Sequence, residues 1–413
     1  MRSCSNNKFQ AFFKQRSAHW IAASFVALCA PAGAAPAPSD TRAEGVQFIC
    51  SQEKLGALES GMSAYLDELG IGSGLVEKSV DRPAWTVTYT LRTAAADTDT
   101  LYLRFRPEFG ISDEKIQLPA SGGKTRTVTT VSKKEIVLAL FQKGRTTTFS
   151  GAACDIAEFR DHVGIRQNTV AWAEELSWKW PDGGPAKWNT RYWSAGTPVE
   201  GASLPQAFLD AFINQDKYEI GCYTATKLAM VHGVLDYYSR VKNDPEKLRV
   251  VEQMLLADND PLVHVEPGKM WNFEADYDPA EDQRAGKLLK LQEGVAAGNF
   301  VPGDWAYLLN TDPVTYEKTG YEGSNAIYLG RNRFDDYYND HGHSYSFRKK
   351  IREVYQWRHK VFSRTRDADK AVALSSDDYS RLSRTPAEGG LLLDLRAVPY
   401  LFGAEGGGRR PAP

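Results

Sequence analysis

One cysteine of this chain stands where a thiol could act as a nucleophile. Cys222 follows Gly221 and precedes Thr224–Tyr238, a stretch whose apolar residues recur at helical spacing. The first turn of a helix presents N–H groups without partners in the helix, together with the positive end of the helix dipole, and both favour a thiolate. The same N–H groups could bind the oxyanion of a tetrahedral intermediate. The alternative is a buried cysteine that only packs.

A nucleophilic thiol needs a base, and histidine is the usual one. His341 and His343 lie in the sequence Asn-Asp-His-Gly-His-Ser, directly after a predicted strand, and His341 is the candidate base. His232 is expected on the surface of the helix after Cys222, and His359 in a solvated basic helix. A zinc-binding His-x-His pair is the competing interpretation, but no convincing third ligand is found, so no metal is predicted.

The N-terminus and the remaining cysteines predict an exported protein. A basic start, an apolar run over residues 20–30 and small residues that follow it form the pattern of a cleavable signal peptide over residues 1–34. Cys50 and Cys154 flank a predicted domain and are expected to form a disulfide, which leaves Cys222 as the free thiol. The predicted location is the periplasm or the medium.

The composition excludes two classes of partner. A hydrophobic fraction of 42% with 11% aromatic residues is typical of a globular protein, and the formal net charge of -2 gives no indication of nucleic-acid binding. No segment after the signal is apolar for the roughly 20 residues that span a bilayer. Neither nucleic acid nor an integral membrane segment is therefore predicted.

The spacing of apolar residues divides the chain into parts of different structure. After a disordered leader, 35–44, residues 45–155 predict a small α+β domain in which one helix packs on an antiparallel sheet. The predicted strands of this sheet cover residues 85–91, 101–105, 125–131, 135–141 and 145–149. A tryptophan-rich connecting segment, 156–204, is expected either to pack between two domains or to form the wall of a peptide-binding cleft. Residues 205–375 combine helices with short strands, and 376–413 form a loose C-terminal extension.

The second part has the elements of a cysteine-nucleophile hydrolase fold. Its predicted helices and strands cover residues 204–214, 224–238, 245–256, 305–309, 325–329 and 346–372. A helix that carries a candidate nucleophile at its start, followed by a few strands, is the arrangement of papain-like enzymes, and this step is an analogy between folds.

Four blocks of sequence, in order, resemble the bacterial spore-coat transglutaminases, the protein-glutamine γ-glutamyltransferases. The blocks are Tyr218–Leu228, Phe300–Asn310, Gly323–Gly330 and His341-Gly342. Together they cover about residues 210–345. The resemblance implies a papain-like, NlpC/P60-like α+β fold that needs no cofactor. It also implies acyl transfer from glutamine to lysine side chains of protein or peptide substrates.

The resemblance assigns roles to individual residues. It makes Cys222 the nucleophile and His341 the histidine near the thiol, and it places Asp304 on the Gly-Asp strand of the site. The aromatic residues expected to bind substrate are Trp271, Trp305 and Tyr321.

Two acidic residues of the resembled family are missing from this chain. The glutamate before the cysteine is Gly221 here, and the carboxylate of the Gly-Glu-Asn block is Ser324. Glu219 and Glu322 are the candidates to replace them if they lie on strands, because a shift of two residues along a strand keeps the same face. Glu322 is the predicted catalytic acid. Otherwise His341 alone acts as the base, in a Cys-His arrangement closer to that of peptidases.

The expected function is that of an exported protein-glutamine γ-glutamyltransferase-like enzyme that forms a thioester on its cysteine. One alternative is a cysteine amidase or peptidase that acts on cell-wall peptide or protein, in which water takes the acyl group. The other is a non-catalytic binding protein on a degenerate transglutaminase fold, which the two missing acids suggest.

Overall fold

The computed structural model describes residues 44–181, 185–257, 289–291, 295–316, 318, 321–339, 344–362 and 372–399. The α-helices are α1 Gln52–Glu68, α2 Lys133–Phe141, α3 Ile156–Ala173, α4 Leu204–Ile213, α5 Cys222–Asp236, α6 Pro245–Ala257, α7 Pro313–Tyr316, α8 Phe347–Trp357 and α9 Ser376–Leu382. The strands are β1 Gly45–Ile49, β2 Val76–Asp81, β3 Thr86–Leu91, β4 Glu114–Ala120, β5 Lys124–Thr130, β6 Thr146–Ser150, β7 Trp193–Ser194, β8 Thr197–Pro198, β9 Leu289–Leu291, β10 Trp305–Leu309, β11 Gly323–Gly330, β12 Arg333–Asp335, β13 Ser344–Tyr345 and β14 Leu392–Pro399.

A four-stranded sheet in the order β2-β3-β1-β6 forms the N-terminal part. Strand β1 pairs antiparallel with β3 but parallel with β6, so the sheet is mixed and not antiparallel throughout as predicted. The predicted disulfide is present between Cys50, after β1, and Cys154, before α3, with a Cα–Cα distance of 5.3 Å. Cys222 is a free cysteine, as expected.

For two segments of the N-terminal part, the prediction of a strand is wrong. Residues 101–105 contain the short 3-10 helix Leu103–Phe105, and residues 135–141 belong to helix α2. Helix α2 begins after Ser132, whose side chain accepts a hydrogen bond from the backbone N–H of Glu135. Every residue from Glu135 to Phe141 is buried. A short apolar run that is buried on all sides has no periodicity that separates a helix from a strand.

The connecting segment also holds more regular structure than its sequence predicted. Its first part is the long helix α3, whose N-cap Asp155 accepts a hydrogen bond from the backbone N–H of Ala157. Helix α3 packs against α5, where the Asn168 side chain donates to the backbone carbonyl of Gly233 at 2.9 Å. This helix therefore supports the helix that carries the candidate nucleophile.

A second sheet, in the order β13-β12-β11-β10-β14-β9, positions the candidate site, and all its pairings are antiparallel. Trp305 and Ile327 belong to the larger core, which includes α3 and α5. Ala306 and Ala326 belong to a smaller core with α8. Odd-numbered residues of β10 and β11 thus face the helix of Cys222, and even-numbered residues face α8.

Five elements of the second part were predicted, namely α4, α5, α6, β10 and β11, whereas β9, α7, β12 and β13 were not. The C-terminal extension, predicted to be loose, contains helix α9 and strand β14. The helix predicted over residues 346–372 is shorter, because α8 ends at Trp357. The larger core contains buried residues from both halves, such as Phe48 and Phe159 as well as Leu228 and Ile327. Within the described ranges, no helix has the length and apolar character needed to cross a membrane.

Candidate active site

The free thiol stands at the start of a long helix. Cys222 is the first residue of α5, and Gly221 before it has the extended backbone of an N-cap, with φ -75° and ψ 162°. The Cys222 side chain is half-buried. The hydroxyl of Thr226 donates to the backbone carbonyl of Cys222 at 2.7 Å. The structure therefore places the thiol at the positive end of a helix, as the sequence predicted.

A side-chain amide contacts this thiol from the neighbouring sheet. Nδ2 of Asn325, on β11, lies 3.5 Å from Sγ of Cys222. The indole N–H of Trp305, on β10, donates to Oδ1 of the same amide at 2.9 Å. Asn325 was not selected from the sequence, although it is part of the Gly-Ser-Asn block. The signal was its position on the strand face opposite that of Ser324.

An open cavity lies in front of the thiol. Its wall combines aromatic rings with charged side chains and consists of Trp180, Cys222, Tyr321, Gly323, Ser324, Asn325, Asp336, Tyr338, Lys350, Glu353 and Trp357. Tyr321, one of the three predicted substrate-binding residues, is part of this wall. Trp305 is 0% exposed and packs edge-on against Tyr223 at 5.2 Å. Trp305 thus contacts Asn325 on the side away from the cavity and is not part of the cavity wall.

Part of the tryptophan-rich segment, residues 177–181 and 185–192, is named the Trp loop here. The backbone of Trp178 exchanges hydrogen bonds with the chain around Tyr337 and Asn339, at 2.8 and 3.0 Å. On the other side, Ile220 N–H donates to the carbonyl of Lys179 at 3.3 Å. The Trp loop thus connects the residues just before Cys222 with the far side of the cavity.

Both interpretations of the tryptophan-rich segment find support in this loop. Trp178 is fully buried and packs on Phe212, so it serves the core. Trp180 lies in the wall of the cavity and packs edge-on against Tyr338, with a distance of 5.1 Å between ring centroids.

A lysine in the cavity wall contacts Ser324. Nζ of Lys350, on α8, donates to the hydroxyl of Ser324 at 3.1 Å and lies 3.9 Å from a carboxylate oxygen of Asp336. Ser324 is an even-numbered residue of β11 and faces α8, whereas Asn325 faces the thiol. The serine therefore belongs to a polar wall beside the nucleophile and not to its immediate contacts.

The two acidic residues proposed as replacements differ in position. Glu219 lies 2.9 Å from Nζ of Lys179 and 2.5 Å from Nζ of Lys187. Hydrogen bonds from Lys187 and then Lys179 lower the pKa of Glu219. Through these two lysines, the carboxylate links the Trp loop to the residues just before Cys222. Glu322 directly precedes β11, and its charge, after the larger effect of burial, raises the pKa of Tyr316 to about 12.

Asp304, predicted as a site residue, is the centre of a buried ion cluster. Its two carboxylate oxygens accept from Arg166 and Arg145, both at 2.8 Å, and the backbone N–H of Val301 donates at 2.8 Å as well. Gly303, before it, has a φ of +87°, a value that favours glycine. Burial opposes ionisation of Asp304, but the two guanidinium groups outweigh it, so its pKa is below the usual range.

This cluster joins distant parts of the chain behind the site. Arg145 precedes β6, Arg166 belongs to α3, and Asp304 leads into β10. Nε of Arg166 also donates to Nε2 of His162 at 2.8 Å. Burial, followed by the charges of Arg166 and Arg145, lowers the pKa of His162 well below its usual value, and the imidazole is neutral. Since none of these residues lines the cavity, the structure gives Asp304 a supporting position.

The prediction that His232 lies on the helix surface is wrong. Its ring stacks on Phe212 with centroids 4.2 Å apart and meets Trp172 edge-on at 4.6 Å. Helix α5 is buried along almost its whole circumference, so it has no solvated face at this position. Burial, the main cause, and the charge of Arg240 lower the pKa of His232 to about 4.

The remaining candidates lie partly outside the described residues. His341, the predicted base, and Trp271, the third predicted substrate-binding residue, fall there, as does His343, so their roles remain predictions. His359 is exposed in the turn after α8. In the part of the chain that the structure describes, no three His, Cys, Asp or Glu side chains are grouped so that they could hold a metal ion.

No curated protein matches this chain. Among solved structures, a transglutaminase from Geobacillus stearothermophilus without its C-terminal extension aligns with 59% of this chain and 91% of that chain, at 17% identity and a TM-score of 0.35. The sequence model of protein-glutamine gamma-glutamyltransferases matches residues 111–384, a wider region than the blocks between 210 and 345. Because this match covers about two thirds of the sequence, the chain belongs to the protein-glutamine gamma-glutamyltransferase family, whose members are acyltransferases that act on proteins.

Proposed function

We propose that this protein is an exported transglutaminase whose nucleophile is Cys222. One observation carries the proposal: the free thiol of a family member stands at the N-terminus of α5, in the wall of an open cavity. A thiol in this position has the two features that favour a nucleophile, namely N–H donors and the positive end of a helix dipole.

The reaction follows from the chemistry of a thiolate and a carboxamide. The sulfur of Cys222 attacks the side-chain carbonyl carbon of a glutamine, and the oxyanion that forms accepts hydrogen bonds from N–H groups at the start of α5. The C–N bond breaks, and the nitrogen leaves as ammonia after it takes up a proton. His341 is proposed as the group that removes the thiol proton and delivers it to this nitrogen.

The second half of the reaction consumes the thioester. A lysine ε-amine attacks the acyl carbon, loses a proton to the base and forms an isopeptide bond as the sulfur leaves. Water competes with the amine for the same thioester. Aromatic side chains in the cavity wall, including Trp180, Tyr321 and Trp357, favour the amine because they reduce the access of water to the acyl carbon.

Export is proposed on two grounds. The N-terminal sequence has the pattern of a signal peptide. The bond between Cys50 and Cys154 is of the kind that persists in oxidising compartments such as the periplasm or the medium. Fractionation of cells that express the full chain tests this part, with the mature N-terminus read by peptide mass.

Amine incorporation tests the catalytic part. The mature chain is incubated with a glutamine-rich protein and a fluorescent primary amine, while ammonia is measured in parallel. We expect label and ammonia from the wild type and neither from Cys222→Ala or Cys222→Ser with unchanged thermal unfolding. Ammonia without incorporated amine would favour the amidase alternative. Absence of both products in the wild type would favour the non-catalytic binding protein.

A further inference from the structure

The amide of Asn325 is held between the nucleophile and a buried indole. Asn325 is 8% exposed and Trp305 is 0% exposed, so water has little access to the hydrogen bond between these two side chains. The amide nitrogen lies 3.5 Å from the sulfur of Cys222, and the amide oxygen lies 2.9 Å from the indole nitrogen. The two contacts form a continuous chain from β10 through β11 to the start of α5.

The indole fixes which end of the amide faces the sulfur. An indole N–H can only donate a hydrogen bond, so the atom of Asn325 that faces Trp305 must be the acceptor, Oδ1. The NH₂ group then points at Cys222 and can only donate. The side chain of Trp305 packs edge-on against Tyr223, the residue after the nucleophile, which holds the indole in place.

No carboxylate stands at the two positions where the resemblance predicts one, Gly221 and Ser324. A Cβ added to Gly221 would meet no heavy atom within 4 Å, so the absence of an acid there is not dictated by space. Ser324 faces α8 and binds Lys350 at 3.1 Å. A carboxylate beside the sulfur would disfavour a thiolate, whereas an N–H donor favours it.

We infer that Asn325, oriented by Trp305, donates the hydrogen bond that stabilises the Cys222 thiolate in this chain, which lacks both family acids. Asn325 is then a catalytic residue, since it contacts the reacting sulfur, and Trp305 is a positioning residue that acts through it. The inference rests on the proposed role of Cys222 as nucleophile. It also explains why a tryptophan expected to bind substrate is fully buried.

Other charged or titratable groups surround the same cavity. Asp336, Lys350 and Glu353 lie in its wall, and the hydroxyl of Tyr337 is 2.8 Å from that of Thr226 in the first turns of α5. Burial, followed by the charge of Asp335, raises the pKa of Tyr337 well above its usual range, so this phenol stays neutral. All these groups stay constant across the variants proposed below.

The test is the rate of alkylation by iodoacetamide as a function of pH, measured on the mature chain with its disulfide intact. Only a free thiol reacts, and the midpoint of the profile reports the pH at which half of the thiol is ionised. We expect Asn325→Ala to move the midpoint up by about one pH unit, the loss of a hydrogen bond to an anion. Asn325→Asp should move it further, because a carboxylate repels the thiolate.

Trp305→Phe tests the positioning role, because it removes the indole N–H and leaves Asn325 in place. We expect a smaller upward shift, as the amide can then turn its oxygen to the sulfur. Trp193→Phe is the matched control: its indole is also buried and donates to a backbone carbonyl, that of Ala207 at 3.2 Å, on α4. This control should leave the midpoint unchanged.

An unchanged midpoint in Asn325→Ala would overturn the inference. If Asn325→Ala does not fold, Asn325→Leu decides, because leucine has a similar size and no N–H donor; Asn325→Asp does not decide, since its charge raises the midpoint in either case. Amine incorporation distinguishes this failure from failure of the proposed function. A chain that transfers amines with an unshifted midpoint in the variant without the donor refutes only the role of Asn325, while a shifted midpoint without any acyl transfer by the wild type refutes only the transferase.

Discussion

Replacement of Asp304 by asparagine separates a supporting role from a catalytic one. The carboxylate is 0% exposed and accepts hydrogen bonds from Arg145, Arg166 and the backbone N–H of Val301, all at 2.8 Å. The side chains of both arginines are also buried. Asp304→Asn keeps the size of the side chain but removes the negative charge between two buried guanidinium groups.

The expected loss of stability is large. Removal of one partner from a buried ion pair costs about 3–5 kcal/mol, since the remaining charge is left without compensation. Here two arginines lose the same partner, so we expect Asp304→Asn to reach the upper part of this range. A surface pair offers the contrast: Asp97 binds Arg106 through two hydrogen bonds at 2.5 and 2.9 Å, and both side chains are about a quarter exposed. Asp97→Asn should cost about 1 kcal/mol or less.

Urea unfolding of both variants, together with kcat and KM of amine incorporation, measures the difference. We expect a much lower unfolding midpoint for Asp304→Asn, with kcat per folded molecule close to that of the wild type. The difference in stability between Asp304→Asn and the wild type should also decrease as the pH is lowered. The pKa of Asp304 lies below its usual value, so its stabilisation is present above about pH 4 and is lost as the pH falls further. A variant as stable as the wild type, with a hundredfold loss of kcat, would refute this reasoning and favour a catalytic Asp304.

Three further predictions address stability and the cavity. His232 has a pKa of about 4 in the fold, so the free energy of unfolding should fall by up to about 3 kcal/mol as the pH drops from 6.5 to 4. His232→Leu should lose this part of the acid sensitivity, which urea titrations at each pH measure. Trp180→Ala removes the ring that packs on Tyr338 in the cavity wall, so it should raise the KM for the glutamine protein about tenfold with a nearly unchanged thermal midpoint. An unchanged KM would exclude this wall from substrate contact. Cys154→Ser removes the disulfide to Cys50, which closes a loop of 104 residues, and should lower the free energy of unfolding in urea by about 4 kcal/mol. An unfolding midpoint equal to that of the wild type would contradict the expected constraint on the unfolded chain.

Sequence reasoning was strongest where a residue's role depends on local structure. The position of Cys222 followed from Gly221 and from the apolar period of the helix after it, and both are properties of adjacent residues. The disulfide between Cys50 and Cys154 was predicted because the two cysteines flank the N-terminal segment. Strands β10 and β11 followed from short apolar runs between polar turns.

Sequence reasoning failed where burial removed the periodic pattern. Helices α2 and α5 are buried on nearly all sides, so a strand was predicted for the first and a solvated His232 for the second. The role of Asp304 depends on Arg145 and Arg166, which lie more than 130 residues earlier in the chain. Contacts over such separations leave no mark in the spacing of neighbouring residues.

The location of these partners bears on what the N-terminal half does. Arg145 and Arg166 hold the turn before β10, and the Trp loop holds the chain on both sides of the cavity. The family match begins at residue 111 and thus includes both arginines. The segment before it is packed into the same core, for example through Phe48, which stacks on Phe149 and meets Phe159 edge-on. A chain shortened to residues 156–413 would lose Arg145 and expose this core. We therefore expect it to lack both a cooperative unfolding transition and thiol reactivity at neutral pH, since the sheet that carries Asn325 depends on residues outside the four blocks that first indicated the family.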